Sequence, residues 1–548
     1  MHPRAIQKIA LVIIGLCLGY AVTVLTRLPW WTLFIVAAVW IGLGLKLRWG
    51  QPSNARYRKI WPWSLLPLSL WGIYVYLADS FGIVDLGAVF FHLQAGIAEH
   101  GGAGKMFTAV LYTLVMIGVL AAVTWLSRHD QRWRLAERFF AIVLLASNPL
   151  LFGLGQRSAS IVTDDGAWLD RRYKAPPTEE LQDPPNLLIM YLESLERTYS
   201  NELFGDVYAD LDALGERGAV FEGIRQMDNT GWTMAGMIAS QCGVPLMPAG
   251  LIHDSQFEPL SKVAPGVDCL GDVLAAQGYQ LSYLGGASTQ FAGKGLFYRG
   301  HQFNNVKGRE DLEPLLDDPE YVNSWGLYDD SLYDITADEI RRLDSEGNGP
   351  WGVVSLNLAG HAPHGYPSQA CVEQQGEFDG QDILYSVQCS AWLARHFIER
   401  LEAEGLLDNT LVMVLSDHLT MRVSVWDQLT AMDRDNTLIM IGDGIEPQRI
   451  RRDATTLDIF PTLLDALGFN LAEQRAGLGT SLLSDKQTLV EIHGIEVVNQ
   501  RLREETALQH RLWEGISPQR REPQEAPPPL EQTLETPADI ADEIEIIH

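Results

Sequence analysis

Most of this 548-residue chain lacks the surplus of basic side chains that nucleic-acid binding requires. Residues 156–548 contain 28 Lys and Arg against 64 Asp and Glu, whereas residues 1–155 contain 13 against 5. A net charge of −36 excludes electrostatic binding of DNA or RNA by the larger part. The sequence also lacks internal repeats. Because the chain is too long for one core, we expect at least two structural units, divided near residue 155.

Cysteine is scarce, and the five residues follow the same division. Cys17 lies in an apolar stretch and is expected to be an inert small side chain. The other four form an even set suited to an oxidising compartment: Cys242, Cys269, Cys371 and Cys389. Four thiols allow three pairings. We favour pairing sequence neighbours, 242 with 269 and 371 with 389, because these close short loops; other pairings or reduced thiols are the alternatives.

The N-terminal part consists mainly of apolar stretches, each near the length of about 20 residues that spans a bilayer. Five stand out: residues 9–25, 28–45, 61–78, 106–126 and 139–154. Prolines interrupt the third and the fifth. A cleaved signal peptide is disfavoured because four further apolar segments follow the first. The sequence therefore predicts a transmembrane region of about five helices over residues 1–155.

The distribution of Lys and Arg predicts the orientation of these spans. Basic residues precede span one and fill the loops between spans two and three and between spans four and five, whereas the alternate loops are poor in them. By the positive-inside rule, the N-terminus is cytoplasmic, and five crossings place the acidic part on the far side of the membrane.

The acidic part has the pattern of an α/β sandwich. Residues 156–185, with three doublets of Asp or Pro, are expected to form a linker. Predicted central strands are Asn186–Leu192, Gln280–Leu284, Val353–Leu358 and Leu411–Leu415, and predicted helices are Leu270–Gln277, Ile335–Leu343, Ser386–Glu404 and Leu457–Leu467. In such folds, ligands gather at the carboxyl ends of the strands. After a domain over 186–500, residues 501–548 are charged, Pro-rich and acidic, and are expected to be a disordered or loosely attached tail.

Two predicted strands end in side chains that bind metals. Glu193 follows NLLIMYL, where a carboxylate that ends an apolar strand has a desolvation cost that a metal offsets. Asp417 and His418 follow LVMVLS and offer an oxygen and a nitrogen to a divalent cation. The alternatives are a charge at a helix N-terminus for Glu193 and a solvated loop for the Asp-His pair.

A third candidate is a hydroxyl at the start of a predicted helix. Thr230 opens TGWTMAGMIAS, where it serves either as an N-cap or as a metal-coordinated nucleophile beside a helix terminus that attracts phosphate. Thr233 is the rival for either role. His361 and His364, in GHAPHG, are candidates for proton transfer or phosphate contact, and Lys294, in FAGKG, is a candidate phosphate clamp or an ordinary surface lysine.

The order and residues of these segments resemble those of the alkaline phosphatase and sulfatase superfamily. Within it, they resemble the membrane-bound phosphoglycerol transferases that modify osmoregulated periplasmic glucans. The strings that carry the resemblance are NLLIMYLESLERTY, MAGMIASQCGVPL, CLGDVL, FAGKGLFYRGHQF, WGLYDD, SDHLTM and TLDIFPTLLDALG. They cover residues 186–470. The membrane part is similar in plan to that of lipoteichoic acid synthases. The resemblance implies a mixed-sheet α/β sandwich on the periplasmic side of a bacterial inner membrane.

The resemblance also implies roles for individual residues. Glu193, Thr230, Asp417 and His418 match the metal ligands, with Thr230 as the nucleophile. His361 matches the phosphate-binding histidine, and Lys294 matches a basic residue that holds the substrate. Manganese, or alternatively magnesium, is the implied ion. The four outer cysteines fall in matching motifs, which favours the disulfides.

The sequence departs from the family pattern at several points. The expected adjacent histidines appear as His361 and His364, separated by Ala-Pro, and the neighbours Asn229 and Gly231 differ from the usual forms. There is no acidic doublet at the first strand end and no CxPSR string, so arylsulfatase activity is not expected.

The activity that follows is transfer of a glycerophosphoryl group from phosphatidylglycerol to a periplasmic β-glucan through a threonine-bound intermediate. Two enzymatic alternatives are a phosphoethanolamine transferase and a polymerase resembling lipoteichoic acid synthase. An alternative of another class is a non-catalytic membrane protein that binds glycans.

Overall fold

The computed structural model describes residues 166–247, 262–375 and 382–514. The five predicted spans, Cys17 and the stretch 515–548 of the predicted tail lie outside this part. Within it, no helix combines the length and the apolar character needed to cross a bilayer.

The described part is built on a mixed sheet of eight strands. They are β1 (Asn186–Leu192), β2 (Ala219–Arg225), β3 (Gln280–Gly285), β4 (Asn305–Lys307), β5 (Trp351–Leu356), β6 (Thr410–Ser416), β7 (Leu438–Ile441) and β8 (Gln448–Thr455). Their spatial order is β4-β3-β5-β1-β6-β7-β2-β8. Only the pairs that include β7 with β6 or β2 are antiparallel. A two-stranded ribbon, β9 (Arg475–Ala476) and β10 (Gly479–Thr480), accompanies the sheet.

Helices cover both faces of the sheet, which confirms the predicted mixed-sheet α/β sandwich. Along β1, Leu187, Ile189 and Tyr191 join one core cluster, and the intervening Leu188, Met190 and Leu192 join the other. The helices are α1 (Ala209–Gly215), α2 (Thr233–Cys242), α3 (Leu270–Ala276), α4 (Lys294–Gly300), α5 (Arg309–Leu312), α6 (Asp329–Glu346), α7 (Gln369–Gln375), α8 (Ile383–Ala403), α9 (Trp426–Thr430), α10 (Ile459–Ala466), α11 (Leu489–His493), α12 (Ile495–Glu504) and α13 (Ala507–Leu512). Helices α2, α3, α4 and α10 pack on the first cluster, and α1, α6 and α8 on the second.

The central strands were predicted closely, and the strands outside them were not. Strand β1 has the predicted bounds, whereas the strand predicted at 353–358 begins and ends two residues earlier. The helix expected to open at Thr230 begins at Thr233. Strands β2, β4, β7 and β8 were not predicted. Strand β4 has three residues, β7 has four, and β8 is mostly polar and exposed.

Segments predicted to be linker and tail are partly folded into the domain. Leu508, Leu512 and Trp513 are buried, so residues 501–514 are structured and the predicted tail is too long by this stretch. The backbone carbonyl of Gly166 accepts hydrogen bonds from the amides of residues 506 and 507. Leu169 is fully buried beside them, so the middle of the predicted linker also packs on the domain.

Both predicted disulfides are present. Cys242 pairs with Cys269 across 27 residues, and Cys371 pairs with Cys389 across 18. The first joins the C-terminal end of α2 to the residue before α3. It therefore anchors the far end of the helix whose first residue is Thr233.

Candidate active site

Two adjacent parallel strands bring three candidate metal ligands together. Glu193 follows β1, and Asp417 and His418 follow β6, with Leu192 paired to Ser416 at the last step of the register. One ligand atom from each of the three side chains lies within 4.8 Å of the others. All three residues are buried, at 3% exposure or less. The structure thus brings together three of the four predicted ligands. Glu193 and Asp417 are 224 residues apart in the chain, and His418 directly follows Asp417.

Backbone hydrogen bonds orient these ligands. The amides of Ser194 and His418 both donate to Asp417 Oδ1, each at 2.9 Å, so that Oδ2 is directed elsewhere. His418 Nδ1 lies 2.8 Å from the carbonyl oxygen of Leu419, which fixes Nδ1 as the protonated nitrogen. Nε2 then points at the carboxylates, 3.3 Å from Asp417 and 3.4 Å from Glu193.

The three side chains fit a divalent cation. Asp417 Oδ2 and His418 Nε2 are buried without a hydrogen-bond partner. Orphaned buried polar atoms are rare, and here they face each other beside a second carboxylate. Two carboxylates and one imidazole are donors that suit Mn²⁺ or Mg²⁺.

The electrostatics of the cluster indicate the same need for positive charge. Burial and the charge of Glu193 raise the pKa of Asp417 to about 7. Burial lowers the pKa of His418, but the two carboxylates outweigh this effect and raise it to about 9. Burial raises the pKa of Glu193, and the His418 imidazole 3.4 Å away, together with the charges of His361 and His418, outweighs this effect and brings that pKa to about 2. The proton on the His418 imidazole offsets the negative charge of the two carboxylates, and a metal ion would offset the same charge.

The hydroxyl that reaches this cluster belongs to Thr233. Its Oγ1 lies 3.3 Å from Glu193 Oε2, and Thr233 is the first residue of α2 and is half-buried. The hydroxyl of Thr230 accepts a hydrogen bond from the amide of Met227 at 3.0 Å and donates to the carbonyl of the same residue at 2.9 Å. Thr230 is fully buried. Its hydroxyl therefore serves the backbone turn before the helix.

Two glycines allow the helix and a loop to approach the ligands closely. A Cβ at Gly236, in the first turns of α2, would lie 1.7 Å from the carbonyl oxygen of Asp417. A Cβ at Gly360 would lie 2.0 Å from the carbonyl oxygen of Glu193. Any larger residue would push Thr233 or His361 away from the cluster.

A buried lysine faces the site from α4. Lys294 is 2% exposed, and its Nζ lies 4.9 Å from the centre of the Phe291 ring. Burial lowers its pKa to about 8, against the opposing effect of the charges of Glu193 and Asp417. The ammonium group is therefore mostly protonated at neutral pH and supplies positive charge to the site.

The two histidines of the GHAPHG loop have different surroundings. His361 packs against Trp325 with ring centres 4.0 Å apart, and its Nδ1 lies 2.8 Å from the carbonyl oxygen of Ala362. Its charge also acts on the pKa of Glu193. His364 is exposed. Of the two, His361 is the one that the structure places beside the cluster.

Sequence reasoning missed a buried network beneath the ligands. Asn357 Oδ1 accepts the amide of Glu193 at 2.7 Å, and Asn357 Nδ2 donates to Asp329 at 2.8 Å and to Ser390 at 2.7 Å. Asp329 also accepts the amides of residues 358 and 359. This network holds both the backbone of Glu193 and the loop that leads to His361. The only sequence signal was a polar residue directly after the apolar strand β5.

A second group among the described residues has the geometry of a metal site but not the chemistry. Cys269, Asp272 and His301 lie within ligand distance of one another. Cys269 is oxidised in its disulfide, and His301 Nε2 lies 2.9 Å from the carbonyl oxygen of Val263. This group is therefore part of the packing around the disulfide.

The sequence comparison with known families agrees with the fold. The sequence profile of the sulfatase family matches residues 185–469, which include every ligand described above. The chain belongs to the sulfatase family. The matched residues include Thr233 at the start of α2 and the ends of β1 and β6, where the cluster lies.

Two relatives bear the same name. The phosphoglycerol transferase I proteins of Shigella boydii serotype 18 and Escherichia coli O127:H6 are each 33% identical to this sulfatase-family chain over 460 residues. The matches cover 79% of this chain and 58% of each relative, so the chain spans little more than half the length of these relatives. A solved alkaline phosphatase superfamily protein from Vibrio parahaemolyticus is 26% identical, with a TM-score of 0.47, and the match covers 60% of this chain and 77% of that one.

Proposed function

We propose that this protein is a metal-dependent transferase that moves a glycerophosphoryl group from phosphatidylglycerol to a periplasmic β-glucan at the bacterial inner membrane. The observation that carries the proposal is the buried cluster of Glu193, Asp417 and His418 with the Thr233 hydroxyl 3.3 Å from Glu193. The relatives named phosphoglycerol transferase I support the choice of the transferred group.

Glu193, Asp417 and His418 would hold the cation, with the hydroxyl of Thr233 beside it. A divalent ion bound there supplies Lewis acidity, which favours ionisation of a nearby hydroxyl and offsets charge on phosphoryl oxygens. We propose Mn²⁺ first and Mg²⁺ second. The role of nucleophile, predicted for Thr230, passes to Thr233, because the Thr230 hydroxyl is committed to the backbone of Met227.

The reaction divides into two displacements. In the first, Thr233 Oγ1, having released its proton to solvent, forms a bond to the phosphorus of phosphatidylglycerol, the bond to the diacylglycerol oxygen breaks, and His361 protonates that oxygen. In the second, His361 takes the proton of a glucan hydroxyl, the hydroxyl oxygen bonds to phosphorus, and the bond to Thr233 breaks. The ammonium group of Lys294 stabilises the negative charge on the phosphoryl oxygens in both steps. His364 is exposed and has no step assigned to it.

The sequence pattern supports a membrane setting. The predicted spans keep the domain at the bilayer surface where the lipid donor resides, which replaces a search through bulk solvent by a local encounter. We place the N-terminus in the cytoplasm and the domain in the periplasm.

The proposal is tested with purified full-length protein, Mn²⁺ and phosphatidylglycerol labelled in its headgroup. We expect diacylglycerol release and a glycerophosphoryl adduct on the tryptic peptide that contains Thr233, detected by mass spectrometry. Phosphatidylethanolamine serves as the competing donor, and product length separates a single transfer from polymerisation. Faster turnover of phosphatidylethanolamine, growing chains, or protein that binds glucan but neither metal nor donor would each replace the proposal with one of the alternatives.

A further inference from the structure

The two loops that carry the candidate metal ligands are joined to each other beyond the end of the sheet. Strands β1 and β6 stay paired as far as Leu192 and Ser416. Glu193 follows the first strand, and Asp417 and His418 follow the second. Beyond a strand end, the regular ladder of hydrogen bonds no longer sets the distance between neighbouring segments. The convergence of the ligands therefore depends on contacts between the loops themselves.

Ser194, directly after Glu193, has a backbone conformation that requires support from its surroundings. Its φ is +57°, in the left-handed region that residues other than glycine rarely adopt. The loop after β6 holds it on both sides. The amide of Ser194 donates to Asp417 Oδ1 at 2.9 Å, and its carbonyl oxygen accepts the hydroxyl of Thr420 at 2.6 Å. Within its own turn, this carbonyl also accepts the amide of Glu196 at 3.1 Å.

The conformation of Ser194 bears directly on a ligand. Ser194 Oγ donates to Glu193 Oε1 at 2.8 Å, so the backbone that places Ser194 also places this carboxylate. A residue in a rarely populated conformation persists only where its surroundings over-determine it. The Thr420 hydroxyl is one of the two contacts from the opposite loop that do so, and the other comes from the ligand Asp417 itself.

Arg434 joins the same two loops from a third segment. Its guanidinium donates to the two carboxylate oxygens of Glu196 at 2.9–3.1 Å and to the carbonyl oxygen of Thr420 at 2.7 Å. Glu196 is fully buried, and Thr420 is 1% exposed. The fixed, planar set of donors on a guanidinium is suited to hold a carboxylate and a carbonyl at once. Arg434 therefore fixes Thr420 relative to the loop that follows β1.

We propose that Thr420 and Arg434 are positioning residues of the metal site, which act through the left-handed conformation of Ser194. They set the separation of Glu193 from the two ligands that follow β6. The proposal rests on the metal site within the proposed function and requires neither the lipid donor nor catalysis. The competing role for these contacts is stability alone, since each of them also satisfies buried polar groups.

The test is Mn²⁺ binding by the purified full-length protein in detergent without lipid donor. Calorimetry gives the affinity, the electron paramagnetic resonance spectrum of bound Mn²⁺ reports the geometry of its ligands, and urea unfolding gives the stability of each variant. Thr420→Val removes the hydroxyl at nearly constant shape, and we expect it to weaken Mn²⁺ binding about tenfold and to change the spectrum. Thr420→Ser keeps the hydroxyl and should restore both.

Replacing Ser194 by glycine separates positioning from packing. Glycine adopts a φ of +57° without strain, so the loop then depends less on the Thr420 hydroxyl. In the Ser194→Gly background, we expect Thr420→Val to change Mn²⁺ affinity by less than about threefold. If Thr420 supports packing alone, the two replacements will act independently and the full loss will remain, which overturns the proposal.

For Arg434, the decisive variant replaces both Arg434 and Glu196 by Leu. No buried charge is stranded, so stability should stay close to that of the unaltered protein, whereas Mn²⁺ affinity should fall about tenfold. The matched control replaces Arg452 and Glu491 by Leu. Arg452 also bridges a carboxylate, at 3.0 Å, and a backbone carbonyl, at 2.8 Å, but it lies in β8, which carries none of the ligands. Mn²⁺ affinity should be unchanged in this control.

Each remaining outcome counts against the proposal. Unaltered Mn²⁺ affinity in Thr420→Val or in the double Leu variant overturns it, and so does an equal loss of affinity in the control pair. An unaltered protein that binds neither Mn²⁺ nor Mg²⁺ would contradict the metal site, and with it both the proposed function and this inference.

Discussion

Replacing each of the two threonines of the TGWT segment in turn distinguishes the nucleophile from a hydroxyl with a structural role. Thr233→Ala removes the hydroxyl 3.3 Å from Glu193 and leaves the fold otherwise unchanged, because this side chain is half-buried and makes no N-cap bond. We expect transfer and adduct formation to fall by at least about a thousandfold, the scale of loss when a covalent nucleophile is deleted. Thr233→Ser keeps a hydroxyl and should keep the adduct.

Thr230→Ala should have the opposite profile. It removes a hydroxyl that bonds to both the amide and the carbonyl of Met227 in a fully buried position. The Met227 carbonyl still accepts the backbone amide of residue 230, but the Met227 amide is left unpaired. Because one buried unpaired group costs about 1–3 kcal/mol, we expect a loss of stability of about that size with the adduct still formed.

Three measurements on the same set of variants decide between the two threonines. Urea unfolding reports stability, release of labelled diacylglycerol reports the first displacement, and mass spectrometry locates the adduct. Full transfer by Thr233→Ala, or an adduct on a Thr233→Ala protein that vanishes only when Thr230 is also replaced, would refute the reasoning. Metal content measured for each variant shows whether lost activity reflects lost cation.

Three further predictions concern charges and the buried network. Because the pKa of Lys294 is lowered to about 8, its positive charge is lost as pH rises through that value. We therefore expect kcat/KM for the donor to fall above about pH 8. A flat profile from pH 7 to 9.5 would contradict this role of Lys294. Asn357→Ala leaves the Glu193 amide unpaired and should weaken metal binding about 10–100-fold by calorimetry. Arg434→Leu strands the fully buried carboxylate of Glu196 and should cost about 3–5 kcal/mol in urea unfolding, which a second Glu196→Leu replacement should largely restore.

Local pattern was sufficient for the central strands and to make the three cluster residues candidate ligands. Apolar runs such as NLLIMYL are continuous because β1 is buried on both faces, and the first polar residue after such a run marks the strand end. Position therefore made Glu193, Asp417 and His418 candidates, with a helix N-terminal charge and a solvated loop as alternatives, and the structure brings the three together. Strand β8 was not found, because its exposed residues alternate without an apolar face that the sequence could reveal.

The choice between hydroxyls needed geometry. Thr230 and Thr233 are three residues apart in similar surroundings, and either can begin a helix in the sequence. The structure separates them because the turn before α2 engages Thr230 and the first helical turn directs Thr233 toward Glu193. The network of Asn357 and Asp329 was hidden for the same reason, since its partners come from a strand end and two helices that meet only in the folded chain.

The sequence by itself thus indicated the acidic α/β domain, the predicted membrane part and the residues with metal-binding chemistry. Burial and charge can be read from local composition and from the spacing of apolar residues along the chain. Tertiary structure alone decided which hydroxyl meets the cluster and which histidine of the loop lies beside Glu193. Those results depend on distances between segments hundreds of residues apart, and such distances are set by how the sheet and helices pack.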